Sequence, residues 1–121
     1  MRPKRSARAA AAEGFSFPRE SLTLTPVLHA LGDPVRLELV RRAQGRPEST
    51  CAALADGLDV SASILSNHWR ILREAGLISM TVDGRHRRIR VRADDLGARF
   101  PGLLDPILHH AAPAPAADGS G

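Results

Sequence analysis

Residues 61–77 read SASILSNHWRILREAGL, and residues 78–92 continue as ISMTVDGRHRRIRVR. In the first stretch an apolar sector recurs at helical spacing, at Leu65, His68, Trp69 and Leu72. Ser61 is suited to cap this helix and Gly76 to end it. Beyond Gly76 the apolar period changes to two, and Asp83-Gly84 predicts a tight two-residue turn. The sequence therefore predicts a helix over residues 61–76 that is followed by a basic β-hairpin.

Three shorter helices are predicted before this helix, and a further helical region after the hairpin. The turn Leu58-Asp59-Val60 separates the last short helix from the long one, which is typical of a helix-turn-helix. The three short helices are predicted over residues 22–31, 33–45 and 52–55, and the last helical region over 94–110. Asp33 is suited to cap the second helix, with Pro34 in its first position, and Ser49 or Thr50 to cap the third. Pro101 and Pro106 should start new helical turns in the last region. The predicted fold class is mainly α with a small β-hairpin (α+β). It is a winged helix-turn-helix with the element order α-α-α-α-β-β-α.

The 121 residues have room for one domain. Residues 1–20 are basic and residues 111–121 are rich in Ala and Pro, and both segments are poor in core-forming side chains, with Phe15 and Phe17 as the exception. We therefore expect flexible tails at 1–20 and 111–121. The folded unit is predicted over residues 21–110.

Several classes of protein are excluded by composition and motifs. The single Cys51 gives no internal disulfide and fits a reducing cytoplasm. No apolar run approaches the roughly 20 residues of a membrane span, and the basic N-terminal segment has no apolar continuation typical of a signal peptide. The sequence has no paired carboxylates in a pocket-like context, no nucleophile elbow and no phosphate loop. We expect a cytoplasmic protein that is not an enzyme and carries no cofactor.

Positive charge concentrates in the helix and hairpin. The whole chain has a net charge of +4, yet between residues 70 and 92 seven arginines accompany only Glu74 and Asp83. Clustered arginine suits binding to phosphates, although a solvated charged surface is the ordinary alternative. In the second strand Arg88, Arg90 and Arg92 are predicted to share one face, while Ile89 and Val91 face the core. Charge on an edge strand also protects against aggregation, so this pattern fits both roles.

The side of the helix opposite its apolar sector carries small hydroxyls, an amide and arginines. A helix fits the major groove of B-DNA, and an asparagine such as Asn67 can bind adenine bidentately. Trp69 is predicted to pack in the core rather than stack on a base, and His68 to be a structural hydrogen-bonding residue. The predicted DNA contacts are Ser61, Ser63, Ser66, Asn67, Arg70, Arg73, Arg85, Arg87 and Arg88.

The sequence resembles the ArsR/SmtB family of winged-helix repressors from Leu28 to about Val91. The matching stretches are HALGDPVRL at 29–37, residues 61–77 with LREAGLI as their most specific part, and the Asp83-Gly84-Arg85 hairpin. The resemblance implies that residues 21–110 serve both DNA binding and dimerisation, in a bacterial, nucleoid-associated protein. It implies a homodimer built largely from the first and last helices, which reads an inverted-repeat operator in double-stranded DNA and represses until an inducer weakens DNA binding. The interface residues it implies are Leu24, Val27, Leu28, Leu96, Phe100, Leu103, Leu104, Ile107 and Leu108.

The sequence departs from the family's metal-sensing pattern. The two positions of the family's Cys-x-Cys pair fall on Thr50 and Ala52, with Cys51 between them. One thiol cannot supply the set of thiolates that a soft metal needs, and Asp105, His109 and His110 have the wrong spacing for the family's zinc site. No metal site is expected, and no inducer is indicated. Cys51 remains either a small packing residue or a thiol sensor.

A second departure lies in the DNA-reading helix. Positions 62 and 64, commonly polar in the family, are Ala62 and Ile64 here. Base contacts would then rest on Ser63, Ser66, Asn67 and Arg70, with an operator different from the family's usual one. The alternative function is a winged-helix module for protein–protein contacts or for non-specific DNA packaging. A packaging protein would bind all duplexes alike.

Overall fold

A computed structural model of the chain describes residues 17–111. Its helices are α1 Leu24–Leu31, α2 Pro34–Gly45, α3 Cys51–Leu54, α4 Ala62–Glu74, α5 Ala93–Arg99 and α6 Leu104–His110. Its strands are β1 Ser49–Thr50, β2 Ile78–Asp83 and β3 His86–Val91, and a 3-10 turn covers Arg19–Ser21. The predicted mainly α fold with a small antiparallel hairpin is confirmed. The predicted tails, 1–20 and 111–121, lie mostly outside the described residues.

The helix starts follow the predicted caps. The Asp33 carboxylate accepts from the backbone N–H groups of Val35 and Arg36 at 2.9 and 3.1 Å, with Pro34 in the first helical position. Thr50 accepts from the N–H of Ala53 at 3.1 Å and starts α3. These side chains satisfy N–H groups that have no partner within the helix.

The sheet has three strands in the order β1-β3-β2, and both pairings are antiparallel. The sequence pattern predicted only two strands. The additional strand β1 has two residues, Ser49 and Thr50, which pair with Ile89 and Arg88. Two residues are too few to show an alternating pattern, and the pairing depends on the free edge of β3. No local signal could therefore have indicated it.

The predicted helical region 94–110 is two helices. α5 ends at Arg99, and α6 begins at Leu104 after a turn in which Gly102 has a φ of +78°. Pro101 lies in this turn, where its ring does not interrupt a helix. Pro106 sits in the first turn of α6, where its missing N–H is tolerated.

The core lies between the helices and one face of the sheet. Its most deeply buried large side chains are Val27, Leu39, Val40, Leu54, Leu72, Leu77, Ile78, Ile89 and Leu96. The N-terminal turn is attached to α5, since Arg19 Nε donates to Asp95 at 2.8 Å and Arg99 donates to the carbonyl of Leu22. The predicted folded unit, 21–110, begins within this turn. No helix in residues 17–111 has the length and apolar character needed to cross a membrane.

Gly76 joins the long helix α4 to the wing, which is the hairpin of β2 and β3. Its φ of +84° lies in the left-handed region, which L side chains rarely adopt. A Cβ atom on Gly76 would lie 2.0 Å from Cδ2 of the buried Leu22. Both the backbone conformation and the close approach therefore require glycine at this position.

Candidate nucleic-acid interface

The helix α4 is fixed in place by one buried side. Ser61 caps it by accepting from the N–H of Ile64 at 3.2 Å, as predicted. His68, Trp69 and Leu72 are buried, and Trp69 is only 5% exposed. The prediction that Trp69 packs in the core is confirmed. This burial leaves the opposite side of α4 facing solvent.

His68 links α4 to the start of α2. The buried Arg36 donates through Nη1 to His68 Nδ1 at 3.2 Å and through Nε to the carbonyl of Ala30 at 2.7 Å. Because a guanidinium has only donors, Nδ1 is the acceptor, and the neutral ring carries its proton on Nε2. Nε2 lies 3.9 Å from the Asp33 carboxylate. The structural role predicted for His68 is confirmed, and its partner Arg36 belongs to the stretch 29–37.

The polar side of α4 is exposed, and some of its side chains form hydrogen bonds with one another. Ser63, Ser66, Asn67 and Arg70 are all exposed. Arg70 donates to the side-chain oxygen of Asn67 and forms an ion pair with Glu74 at 3.1 Å. The spacings i, i+3 and i, i+4 bring these three side chains together on one side of the helix. Asn67 and Arg70 are thus close enough to act on neighbouring groups of one ligand.

Arg73 occupies a different position from the other predicted contacts on α4. Its side chain is half-buried, and its Nη1 lies 3.9 Å from the sulfur of Met80 on β2. This contact directs the guanidinium toward the base of the wing. Arg73 therefore lies between the exposed side of α4 and the hairpin.

The turn of the wing lies one residue later than predicted. Asp83 pairs with His86, so the two residues of the turn are Gly84 and Arg85 rather than Asp83 and Gly84. Gly84 has a φ of +65°, and Arg85 is not among the residues with positive φ. A positive φ at the first position alone is typical of a type II′ turn. The shift places Arg85 at the very tip of the hairpin.

The arginines of the wing differ in what they bind. Arg85 and Arg87 are exposed and form no side-chain hydrogen bond or ion pair with other residues of the 17–111 range. Arg88 donates to Asp83 at 3.1 Å and to the carbonyl of Glu48 at 3.1 Å. Arg90 pairs with the Glu48 carboxylate at 2.7 Å. The charges of Arg88 and Arg90 are thus largely neutralised within the chain.

Arg92 does not share the exposed face predicted for it. The residue is buried, follows the end of β3, and pairs with Asp95 at 2.9 Å. The hydrogen bond from Arg19 is the main cause that lowers the pKa of Asp95, with Arg92 contributing further. The prediction for Arg92 was wrong because β3 ends at Val91, where the chain turns into α5 and the alternation stops.

One groove separates the exposed side of α4 from the wing. Its volume is about 860 Å³. It is lined from α4 by Ser63, Ser66, Asn67, Arg70 and Arg73, and from the wing by Gly84, Arg85, His86 and Arg87. Seven of the nine predicted DNA contacts therefore border a single cationic groove. Of the other two, Ser61 caps α4 and Arg88 is held by Asp83 and Glu48.

Cys51 also borders this groove, at the start of α3. Its side chain is half-buried and packs against the core. Burial raises the pKa of the thiol, although the nearby Arg87 and Arg73 act in the opposite direction. A raised pKa leaves little thiolate at neutral pH, which favours the packing interpretation over the thiol sensor. Within residues 17–111 no three His, Cys, Asp or Glu side chains come together as a metal site would require.

The predicted dimer-interface residues fall into three groups by exposure. Leu24 and Leu28 on α1 are 43% and 44% exposed. Val27, Leu96 and Leu104 are buried in the core of this chain, so they offer little surface to a second copy. Half-buried positions are taken by Phe100, Leu103, Ile107 and Leu108.

Sequence analysis missed the acidic partners of the arginines. The pair Arg70–Glu74 has i, i+4 spacing on a predicted helix, so a search for such pairs would have found it. Glu48 and Arg90 are 42 residues apart, and only the pairing of β1 with β3 brings them together. That contact has no sequence signal.

Comparison with known proteins agrees with this geometry. The family described as "Helix-turn-helix domain" matches residues 31–81, which run from the end of α1 into β2. The chain is 29% identical over 83 residues to the uncharacterized HTH-type transcriptional regulator YceK of Bacillus subtilis (strain 168). The aligned region covers 67% of this chain and 82% of YceK.

Two crystal structures share the fold. One, of a possible transcriptional regulator for arsenical resistance, is 33% identical with a TM-score of 0.55, over 69% of this chain and 84% of that one. The other, of an ArsR family transcriptional regulator, is 26% identical with a TM-score of 0.56, and the match covers 61% of this chain and 80% of that one. With its winged helix-turn-helix and these relatives, the chain belongs to the ArsR family of DNA-binding helix-turn-helix transcriptional regulators.

Proposed function

We propose that the chain is a homodimeric repressor that binds an inverted-repeat operator in double-stranded DNA. The observation that carries the proposal is the groove between α4 and the wing, where exposed polar side chains meet the unpaired Arg85 and Arg87. A helix that enters the major groove and a cationic loop that follows the adjacent backbone need this arrangement. Occupation of promoter DNA by such a dimer obstructs transcription sterically, and it places the protein at the nucleoid in the cytoplasm.

The outer side of α4 supplies sequence readout in this proposal. Asn67 presents an amide that matches the N6 and N7 edge of adenine, and Arg70 next to it matches guanine or a phosphate. Ser63 and Ser66 are small enough to let the helix backbone approach the bases closely. Ser61 and Arg73, at the two ends of the helix, contact phosphates.

The wing supplies affinity without sequence preference. Arg85 and Arg87 have no partner to give up among the described residues, so their charges are free to replace counterions along the DNA. Arg88 has a more structural part, since it holds the hairpin to Asp83 and to the Glu48 carbonyl. Because Asp83 already pairs with its guanidinium, Arg88 contributes less to phosphate binding than Arg85 and Arg87 do.

Dimerisation is supported by the exposed leucines of α1. Leu24 and Leu28 are separated by one helical turn and lie on the same side of α1, where the residues that the structure describes leave them partly exposed. We propose that they meet the same residues of a second copy, with Phe100, Leu103, Ile107 and Leu108 at the margin. A two-fold symmetric dimer presents two α4 helices to half-sites about one helical turn apart.

Selection of bound duplexes from a random pool tests this function. An inverted repeat with half-site centres about 10 base pairs apart is the expected result. A pool with no enriched sequence would instead support non-specific packaging, and failure to retain any duplex would support a module for protein contacts. Sedimentation of the Leu28→Glu variant tests the dimer separately: a shift to monomer is expected, and an unchanged dimer would remove α1 from the interface.

A further inference from the structure

We propose that Ile64 reads the C5-methyl group of a thymine in the major groove and is a specificity-determining residue of this protein. The inference rests on the proposed function, because it requires sequence-specific binding through α4. Four large apolar side chains are markedly exposed among the described residues, and Ile64 is the most exposed of them at 53%. An isoleucine that does not pack in the core and stands on the DNA-reading helix requires an explanation.

The position of Ile64 on α4 suits contact with a base edge. It lies in the first turn of the helix, where its N–H donates to Ser61 Oγ at 3.2 Å. The N-terminal residues of such a helix are those that reach the base edges. Asn67 lies three positions after Ile64, which places their side chains about 60° apart around the helix axis. The two side chains are therefore neighbours, and Ile64 would meet a base pair adjacent to the one that Asn67 reads.

The chemistry of isoleucine selects one feature of the major groove. Its side chain has no hydrogen-bonding group, so it cannot match the donors and acceptors of the base edges. The C5-methyl group of thymine is the apolar group that the major groove presents, and apolar side chains contact it in protein–DNA complexes. A β-branched side chain also has one strongly preferred rotamer on a helix. Ile64 thus loses little conformational freedom when it packs against a methyl group.

The other exposed apolar residues do not compete for this role. Leu24 and Leu28 lie on α1, whereas Ile64 lies on α4, the helix that is proposed to read the bases. Val82 borders the groove and is 45% exposed, but it belongs to strand β2 of the wing. Val82 is therefore a matched control, because its truncation removes a similar exposed aliphatic group from outside α4.

The experiment replaces single thymines of the selected operator by deoxyuridine, which removes the methyl group and keeps every hydrogen-bonding edge. For the unaltered protein we expect one symmetric pair of replacements to weaken binding about three- to fourfold per half-site, as burial of one methyl group predicts. For Ile64→Ala the same replacement should have no effect. Val82→Ala should keep the response of the unaltered protein.

A second arm separates the methyl group from the rest of the thymine. At the responsive position, a C·G pair with 5-methylcytosine should bind the unaltered protein about three- to fourfold more tightly than an unmodified C·G pair, and Ile64→Ala should bind both equally. Because Ile64 is exposed, the Ile64→Ala variant should unfold at the same temperature as the parent, which verifies that folding is unchanged.

Each outcome bears on the inference. Equal responses of the unaltered protein and Ile64→Ala to every deoxyuridine replacement, or no response in either, would overturn the assignment of Ile64 while leaving the operator-binding function intact. A random pool without an enriched sequence would overturn the proposed function and this inference together. A response that Val82→Ala abolishes and Ile64→Ala retains would move the methyl contact to the wing.

Discussion

The outer side of α4 and the tip of the wing border the same groove, but they differ in whether their polar side chains already have bonding partners. On α4, Asn67 and Arg70 are bonded to each other, and Arg70 also pairs with Glu74. At the wing tip, Arg85 and Arg87 form no ion pair with any other described residue. We therefore expect α4 to exchange internal hydrogen bonds for new ones when it binds DNA, whereas Arg85 and Arg87 have none to break with the residues that the structure describes.

This difference separates specificity from affinity. An internal bond is given up at no net loss only when the new partner has matching geometry, so we expect α4 to discriminate between base sequences. An unpaired arginine gains from any phosphate, so we expect the wing tip to bind all duplexes alike. The wing itself contains both kinds of arginine, because Arg88 and Arg90 are neutralised by Asp83 and Glu48.

Asn67→Ala gives the largest expected effect on binding and tests the part that α4 plays. Loss of a bidentate base contact should reduce operator binding by about ten- to a hundredfold, while binding to random duplex stays nearly constant. Competition between operator and random duplex measures the ratio. Equal losses on both would mean that Asn67 contacts phosphate and that the contrast between α4 and wing fails.

Arg85→Ala and Arg87→Ala test the wing tip. Each should weaken binding to operator and to random duplex by a similar factor, about fivefold, and should lower the slope of log affinity against log salt by about 1. Titrations at several salt concentrations measure both quantities. Arg88→Ala is the matched control within the same hairpin, and its slope should change less because Asp83 already neutralises the guanidinium.

Glu74→Gln sharpens the comparison, because it leaves Arg70 on α4 without an ion-pair partner among the described residues, like the two arginines at the wing tip. The substitution removes the ion-pair partner of Arg70, and with it a negative charge next to that arginine. Exposed pairs of this kind contribute at most about 1 kcal/mol, so we expect operator binding to tighten about twofold. Binding isotherms at low salt provide the measurement. A weakened affinity would show that Glu74 positions Arg70 for its contact rather than restraining it.

Asp95→Asn concerns the base of the wing and has the smallest expected effect. The lowered pKa of Asp95 means that its carboxylate stabilises the fold above the unfolded-state pKa of about 3.9, and that this stabilisation is lost as pH falls through the lower folded value. The variant should be less stable than the parent by under about 1 kcal/mol at pH 7. Denaturant unfolding at pH 7 and near pH 3 should show the gap closing in acid, with DNA binding at neutral pH nearly unchanged.

The helical parts of the fold were predictable because their signals are local. Asp33, Thr50 and Ser61 cap the helices as predicted, and the apolar sector of α4 is the buried one. The outer residues of α4 followed from the same periodicity, since whatever lies opposite a buried sector faces solvent. Groove-lining residues from both α4 and the wing were therefore found from the sequence.

The remaining features depend on contacts between distant segments. The strand β1 exists only because β3 offers it an edge, and Glu48, at a φ of +66°, reaches Arg90 through that pairing. Whether a wing arginine is free or neutralised depends on such contacts. The turn at Gly84-Arg85 was displaced by one residue because both Asp83-Gly84 and Gly84-Arg85 are suitable turn pairs, and the strand register decides between them.

The contact between Arg36 and His68 has a consequence for redesign of this protein. It anchors α4 through its buried side, next to the buried Leu72, and neither Arg36 nor His68 lines the groove. Positions 62, 63, 66, 67 and 70 line the groove and Ile64 is exposed beside them, so we expect these six positions to accept the outer residues of another recognition helix while the scaffold is retained. We expect operator preference and fold stability to be separately adjustable within a single 13-residue helix.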